Sequence, residues 1–176
     1  IKNLDSGTSS DSDIKGNGGA INISANNNIN VAGFLISKSW SRSGLTGNGG
    51  TISLNSANGS IVTSALDSST LSRGRTGNGG MISLNAPNGN ISTKFLESAS
   101  YSFSSQAGNG GDISMSTNNG SISTENLSSF SYSLDSKAGN GGAINISTNN
   151  GSISVGNLFS SSYSFTSTCL LYTSDA

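Results

Sequence analysis

The chain has few charged residues and lacks side chains on which many enzymes and metal sites depend. Only 10% of its 176 residues are charged, its net charge is −1, and it contains no histidine, whereas soluble domains average about 25% charged residues. Without histidine, His-based metal sites and Ser-His-Asp triads are excluded. Cys169 is the only cysteine, so an internal disulfide is excluded as well.

Two further absences bear on the partners of the chain. No stretch approaches the roughly 20 consecutive apolar residues of a membrane-spanning helix, so we expect no membrane insertion. The near-neutral charge provides no basic stripe along which a phosphate backbone would bind. We therefore expect no nucleic-acid partner.

What the sequence does contain is a repeat. The tetrapeptide Gly-Asn-Gly-Gly occurs five times, at intervals of 31, 30, 31 and 31 residues. A period in this range is typical of solenoids, in which each unit buries its apolar face only against its neighbours. We predict a single β-solenoid domain over 1–169, made of a partial repeat 1–15 and the repeats 16–46, 47–76, 77–107, 108–138 and 139–169. Residues 170–176 match no repeat, so they are expected to be a non-repeat tail on a fragment of a longer chain.

Each repeat contains two segments in which apolar and polar residues alternate, which is the period of a strand with one buried face. A turn rich in Asn and Gly separates these segments, and a leucine follows the second one. The isoleucine that opens the first segment and this leucine form two columns, which we predict to be buried ladders: Ile21, Ile52, Ile82, Ile113 and Ile144, and Leu35, Leu66, Leu96, Leu127 and Leu158.

A third segment follows, in which Ser alternates with large residues. Period two does not decide whether the serines or the large residues point inward. We expect the first large column to be buried or half-buried, and the second to lie toward a rim because stacked arginines need water. The columns are Trp40, Leu71, Tyr101, Tyr132 and Tyr163, and Arg42, Arg73, Phe103, Leu134 and Phe165. Three strands per repeat predict an all-β fold, a parallel β-helix (β-solenoid) of roughly five coils with about 31 residues each.

The asparagine of each Gly-Asn-Gly-Gly has two structural interpretations. Its amide can hydrogen-bond to the equivalent amides above and below, as in the ladders of cross-β assemblies, or it can simply favour a turn. The tetrapeptide lacks the Lys and Ser/Thr of a phosphate-binding loop. The predicted ladder comprises Asn17, Asn48, Asn78, Asn109 and Asn140.

These residues carry a family resemblance. The pattern G-N-G-G-x-I-x-[IL], then N-G-x-I-x-T, then a leucine and an S-x-S-x-S run resembles the repeats of bacterial filamentous-haemagglutinin-like exoproteins of the two-partner secretion type. The resemblance covers 1–169 and implies a right-handed parallel β-helix, a secreted or cell-surface location, and a fibre or stalk that mediates adhesion. The implied partners are a host or abiotic surface or a glycan, together with the neighbouring coils of a longer parent chain.

Other functions have weaker support. The nine acidic residues are scattered over different columns, so we expect no enzyme, no cofactor and no metal. Gly110, Gly111 and Asp112 resemble the turns of calcium rolls, but those repeat every nine residues. The alternative function is a ligand-binding face that takes ice or a glycan through a hydroxyl ladder of Ser39, Ser41, Thr70, Ser72, Ser100, Ser102, Ser131, Ser133, Ser162 and Ser164.

Overall fold

The computed structural model describes residues 1–11 and 16–165. The predicted tail at 170–176 therefore lies outside the described residues, as do residues 12–15 of the partial repeat and 166–169 of the last repeat. Fifteen strands and no helix make up the described chain, which accordingly has no helix able to cross a membrane. All strand pairs are parallel. The predicted all-β solenoid of about five coils is confirmed.

Three faces run along the solenoid. The first face, which follows Gly-Asn-Gly-Gly, consists of β3 (Ile21–Ala25), β6 (Ile52–Ser56), β9 (Ile82–Asn85), β12 (Ile113–Thr117) and β14 (Ile144–Thr148). The second face consists of β1 (Leu4–Asp5), β4 (Ile29–Ile36), β7 (Ile61–Asp67), β10 (Ile91–Glu97) and the first parts of β13 (Ile122–Ser133) and β15 (Ile153–Ser164). The third face consists of β2 (Thr8–Ser10), β5 (Ser39–Ser41), β8 (Thr70–Ser72), β11 (Ser100–Ser102) and the remainders of β13 and β15.

Equivalent residues of successive coils lie opposite one another, as the repeat predicts. In the first face Ile52 pairs with Ile21 below it and Ile82 above it, and the isoleucine column continues through the other coils. In the second face the leucine column is continuous from Leu4 to Leu158. The inner members of both columns are buried in one apolar cluster. Stacked apolar side chains therefore form the core between these two faces.

One irregularity shows how the register is kept. The first repeat has a turn one residue shorter than the others, between Ile23 and Ile29. A bulge in β4 between Val31 and Phe34 adds a residue and brings Leu35 opposite Leu66. The bulge therefore compensates for the short turn before the core column is reached.

The structure decides the direction that alternation leaves open: in the inner coils the serines of the third segment point inward and the large residues point outward. Ser39 and Ser100 are buried, while Trp40 and Tyr163 expose 37% and 47% of their surface. The reason is that the third face packs directly against the Gly-Asn-Gly-Gly segment, where no room remains for a large side chain. A Cβ atom on Gly49 would lie 2.0 Å from the carbonyl oxygen of Ser68.

The same packing corrects the predicted hydroxyl face. Its members in the inner coils are buried and present no surface to a ligand: Ser39, Ser41, Thr70, Ser72, Ser100, Ser102, Ser131 and Ser133. Ser162 and Ser164, in the last described coil, are exposed. Half-burial of the first large column is confirmed for Leu71, Tyr101 and Tyr132, but on the outer side of the strand.

Candidate functional site

Interior hydroxyl groups hold the third face in place. Ser129 Oγ donates a hydrogen bond of 2.6 Å to the carbonyl oxygen of Gly111, and Ser131 Oγ donates one of 2.6 Å to that of Gly108. The earlier coils repeat the first contact between Ser37 and Gly19, Ser68 and Gly50, and Ser98 and Gly80. Because side chains alternate along a strand, these inward serines direct the large residues of the third face outward.

The outward residues form a continuous surface that we call the aromatic strip: Trp40, Leu71, Tyr101, Phe103, Phe130, Tyr132, Tyr163 and Phe165. The rings of Tyr101 and Phe130 meet edge to face with centroids 4.9 Å apart. Tyr132 lies 6.0 Å from Phe165, and Phe130 lies 6.5 Å from Tyr163. Such contacts stabilise aromatic pairs by about 0.5–1.5 kcal/mol. The strip is therefore an ordered array of rings that crosses several coils.

The carboxyl group of Glu97 fixes the position of one ring of the strip. The hydroxyl of Tyr101 donates a hydrogen bond of 2.9 Å to Glu97 Oε1, and Glu97 lies opposite Asp67 in the sheet. Burial raises the pKa of the Glu97 carboxyl, the charge of Asp67 raises it further, and the bond from Tyr101 lowers it. Burial also raises the pKa of the Tyr101 hydroxyl. Tyr101 therefore stays neutral at physiological pH and remains a hydrogen-bond donor.

The asparagines of Gly-Asn-Gly-Gly form the predicted ladder at a corner of the coils. Asn17 Oδ1 accepts a hydrogen bond of 2.8 Å from the main-chain N–H of Asn48. The same contact links Asn48 to Asn78, Asn78 to Asn109, and Asn109 to Asn140. The bonds run from main-chain N–H groups to side-chain oxygens, an arrangement that differs from both interpretations that the sequence left open.

Amide-to-amide ladders occur instead at the turns that separate the first two strands of each repeat. Asn88 Nδ2 lies 3.4 Å from Asn58 Oδ1, Asn119 Nδ2 lies 3.3 Å from Asn88 Oδ1, and Asn150 Nδ2 lies 3.0 Å from Asn119 Oδ1. The signal was present in the repeated Asn-Gly pairs of these turns. The asparagines of both corners thus hold successive coils together.

A groove of about 660 Å³ runs along the first of these corners. The polar residues that line it include four asparagines of the ladder, Arg75 and Gln106. We call it the amide groove and define it by Asn17, Asn48, Asn78, Asn109, Arg75 and Gln106. Oδ1 of each asparagine already accepts a hydrogen bond from the main chain of the next coil, so the Nδ2 donors are the groups that these side chains offer to a ligand.

Acidic residues do not come together elsewhere in the part of the chain that the structure describes. No three side chains of His, Cys, Asp or Glu among residues 1–11 and 16–165 are close enough to hold a metal ion. Asp112, the residue that resembles a calcium-roll position, accepts a hydrogen bond of 2.9 Å from the main-chain N–H of Ala143. This carboxylate therefore supports the stacking of two coils.

The aromatic strip and the amide groove are thus two outer surfaces whose side chains are suited to contacts with another molecule. The first offers apolar rings, and the second offers donors and a positive charge. Comparison with protein-family models, with curated proteins and with solved structures found no match in any of the three.

Proposed function

We propose that this chain is a structural and adhesive section of a secreted or cell-surface bacterial β-solenoid protein. It acts as a fibre or stalk that holds an adhesive surface in a rigid frame and attaches to a host surface, an abiotic surface or a glycan. The observation that carries the proposal is the aromatic strip. Large exposed apolar surfaces on soluble proteins are characteristic of interaction sites.

Two properties of the strip support this role. Aromatic side chains contribute large apolar contact areas at a low entropic cost, and they dominate the energetics of many interfaces. The strip is also preorganised, because the strands beneath it are tied to the glycine corner by buried serines. A surface that is already ordered loses less entropy when it binds.

The proposed secreted or cell-surface location is supported by the repeat pattern, which resembles that of filamentous-haemagglutinin-like exoproteins of two-partner secretion systems. It is supported as well by the stacked architecture, in which coils can be added without changing the cross-section. The location is tested by labelling intact cells of the source bacterium with antibodies raised against the chain. We expect intact cells to be labelled, and labelling that appears only after lysis contradicts the proposed location.

The adhesive role is tested with beads that carry the purified chain. The double variant Phe103→Ser and Phe165→Ser removes two exposed rings from the strip. We expect retention on epithelial cells and on polystyrene to fall at least fivefold. A matched control replaces Phe34 and Phe95 by Ser, because both rings are exposed on the outside of the second face. Equal loss in the two double variants would show that the strip has no special role.

The alternative, a ligand-binding face, is not supported in the form of a hydroxyl ladder, because those hydroxyl groups are buried. Ice binding through that ladder has no exposed surface in the inner coils. Binding of a glycan remains compatible with the outer surfaces. The hydrogen-bond donors of the amide groove indicate which class of glycan would bind there.

A further inference from the structure

All three arginines of the chain lie at one edge of the solenoid. Arg42 follows β5 directly, while Arg73 and Arg75 follow β8. Since Ser41 pairs with Ser72, Arg42 and Arg73 are neighbours in adjacent coils, about 4.8 Å apart along the axis. All three side chains are exposed.

These guanidinium groups have no acidic partner among residues 1–11 and 16–165, where the observed ion pair joins Lys38 to Asp67. Asp11 is the neighbour of Arg42 in the coil below, since Ser10 pairs with Ser41, but it makes no ion pair with it. Like charges that stack without a counter-charge produce a local positive potential. This edge of a nearly neutral protein therefore attracts anions.

Arg75, which is exposed, is one of the residues that line the amide groove and so connects this charge to it. None of the residues that line the groove in the described structure carries a carboxylate. The Nδ2 groups of Asn48, Asn78 and Asn109 have no hydrogen-bond partner in the described part of the chain, and these side chains are exposed. A complementary ligand must supply acceptors along the groove and a negative charge near Arg75.

The spacing of the asparagine donors along the solenoid axis restricts the class of ligand further. One asparagine projects from each coil, so the donors recur about every 4.8 Å along the axis. In an extended polysaccharide each sugar advances by a similar distance and carries hydroxyl and ring oxygens as acceptors. A uronate sugar adds a planar carboxylate, which the guanidinium fork of arginine binds through two parallel hydrogen bonds.

We propose that the amide groove binds a uronate-containing polysaccharide that lies along the solenoid axis. Arg75 binds a carboxylate, Arg73 contributes charge beside it, and Asn48, Asn78 and Asn109 donate to oxygens of successive sugars. The proposal names a partner for the adhesive function and rests on it for its biological role. Binding by the purified chain is nevertheless measured separately from adhesion.

The test measures binding of the full chain to polygalacturonate by isothermal titration calorimetry. Arg75→Gln removes the charge of the groove. Asn78→Asp keeps the oxygen that accepts from the N–H of Asn109, while it replaces the donor by a negative oxygen. We expect each variant to weaken binding at least tenfold, and Arg75→Lys, which keeps the charge without the fork, to weaken it about threefold.

Matched controls make the same chemical changes on the second face. Lys94→Gln removes one exposed positive charge, and Asn126→Asp keeps the oxygen that accepts from Asn157 Nδ2. We expect both to bind polygalacturonate within twofold of the original chain. Melting curves followed by circular dichroism confirm that each variant is folded before its binding is measured. A loss of binding in the controls equal to that in the groove variants overturns the proposal.

Two further ligands distinguish recognition of a carboxylate from recognition of hydroxyl groups and from recognition of sulfate. Neutral dextran tests hydroxyl recognition alone, and dextran sulfate tests sulfate in place of carboxylate. Polygalacturonate as the tightest ligand supports the proposal, whereas equal binding of neutral dextran or preference for dextran sulfate overturns it. Replacement of Phe165 by Ser, two coils away from the column neighbour of Arg73, should leave polygalacturonate binding unchanged. Failure of adhesion is in this way distinguished from failure of the groove.

Discussion

Ser129 connects two coils through one buried hydroxyl group. Its Oγ donates a hydrogen bond of 2.6 Å to the carbonyl oxygen of Gly111 and accepts one of 2.9 Å from the N–H of Gly142. The interior between the third face and the glycine corner is thus polar but satisfied, unlike the apolar core under the other two faces.

Replacement of Ser129 by Ala should destabilise the chain by about 2 kcal/mol, because it leaves the carbonyl of Gly111 and the N–H of Gly142 buried without this partner. The free energy of unfolding in urea measures the effect. Ser128→Ala changes the neighbouring side chain, for which the structure shows no hydrogen bond, and should stay within about 0.5 kcal/mol. Equal effects of the two substitutions contradict a structural role for the hydroxyl.

Gly80→Ala, which adds a single methyl group, should strongly reduce the stability of the fold. The new Cβ would lie 2.0 Å from the carbonyl oxygen of Gly50 and 2.1 Å from Ser68 Oγ. Relief of this overlap requires a shift of the main chain of the coil below, so we expect a loss of about 3 kcal/mol. Thermal unfolding of this variant is compared with that of Met81→Ala, which alters the exposed adjacent residue. A melting temperature equal to that of Met81→Ala would argue against close packing at this corner.

Thr124→Val should stabilise the chain. Thr124 Oγ1 is buried without a hydrogen-bond partner, and the next residue of its column is Val155. Valine has nearly the same shape, so the substitution removes a desolvated hydroxyl group and should increase the free energy of unfolding by about 1 kcal/mol.

The control for this prediction is Thr93→Val in the same column. Thr93 Oγ1 accepts a hydrogen bond of 2.9 Å from Thr63 Oγ1, so its replacement leaves the hydroxyl of Thr63 unpaired. We expect it to reduce the free energy of unfolding in the same urea titration. Similar shifts in the two variants would mean that hydroxyl pairing does not decide stability in this column.

Glu97→Gln should increase stability at pH 7 and have little effect near pH 4. Burial raises the pKa of Glu97 in the folded chain, so its contribution to stability is greatest below the unfolded pKa. That contribution is lost as the pH rises through the folded pKa. Glutamine keeps an oxygen that can accept from Tyr101 but carries no charge opposite Asp67. Melting temperatures between pH 4 and pH 7 measure the difference.

Glu125→Gln, on the outside of the same face, is the reference for this pH series, because its side chain is exposed. It reports the effect of the same chemical change on the surface of the solenoid. A difference between Glu97→Gln and the original chain that is no larger at pH 7 than at pH 4 would show that burial does not control the charge of Glu97.

The repeat period alone predicted the buried columns, in which the same type of residue recurs at the same position of every coil. The isoleucine and leucine columns lie where their spacing placed them, because each apolar side chain is paired with its equivalents in the coils above and below. The orientation of the third strand was not predictable from alternation. The same alternating pattern results whether the serines or the large residues point inward. The decisive factor was the space left beside the glycines, and the exposed Arg42 and Arg73 were the one hint of it.

The candidate site was only partly predictable. The asparagine column was visible in the repeat, but the direction of its hydrogen bonds depends on how far each side chain is from the main chain of the next coil. The position of Arg75 beside those asparagines depends on how the loop after β8 returns to the corner. Sequence spacing contains neither of these distances.

The near-identity of stacked units has a consequence beyond the single molecule. Each coil touches only the ones directly above and below it, so gain or loss of a whole unit of about 31 residues leaves every remaining contact of the same kind. We expect close relatives of this protein to differ in length by whole units, as rods of different reach with the same cross-section.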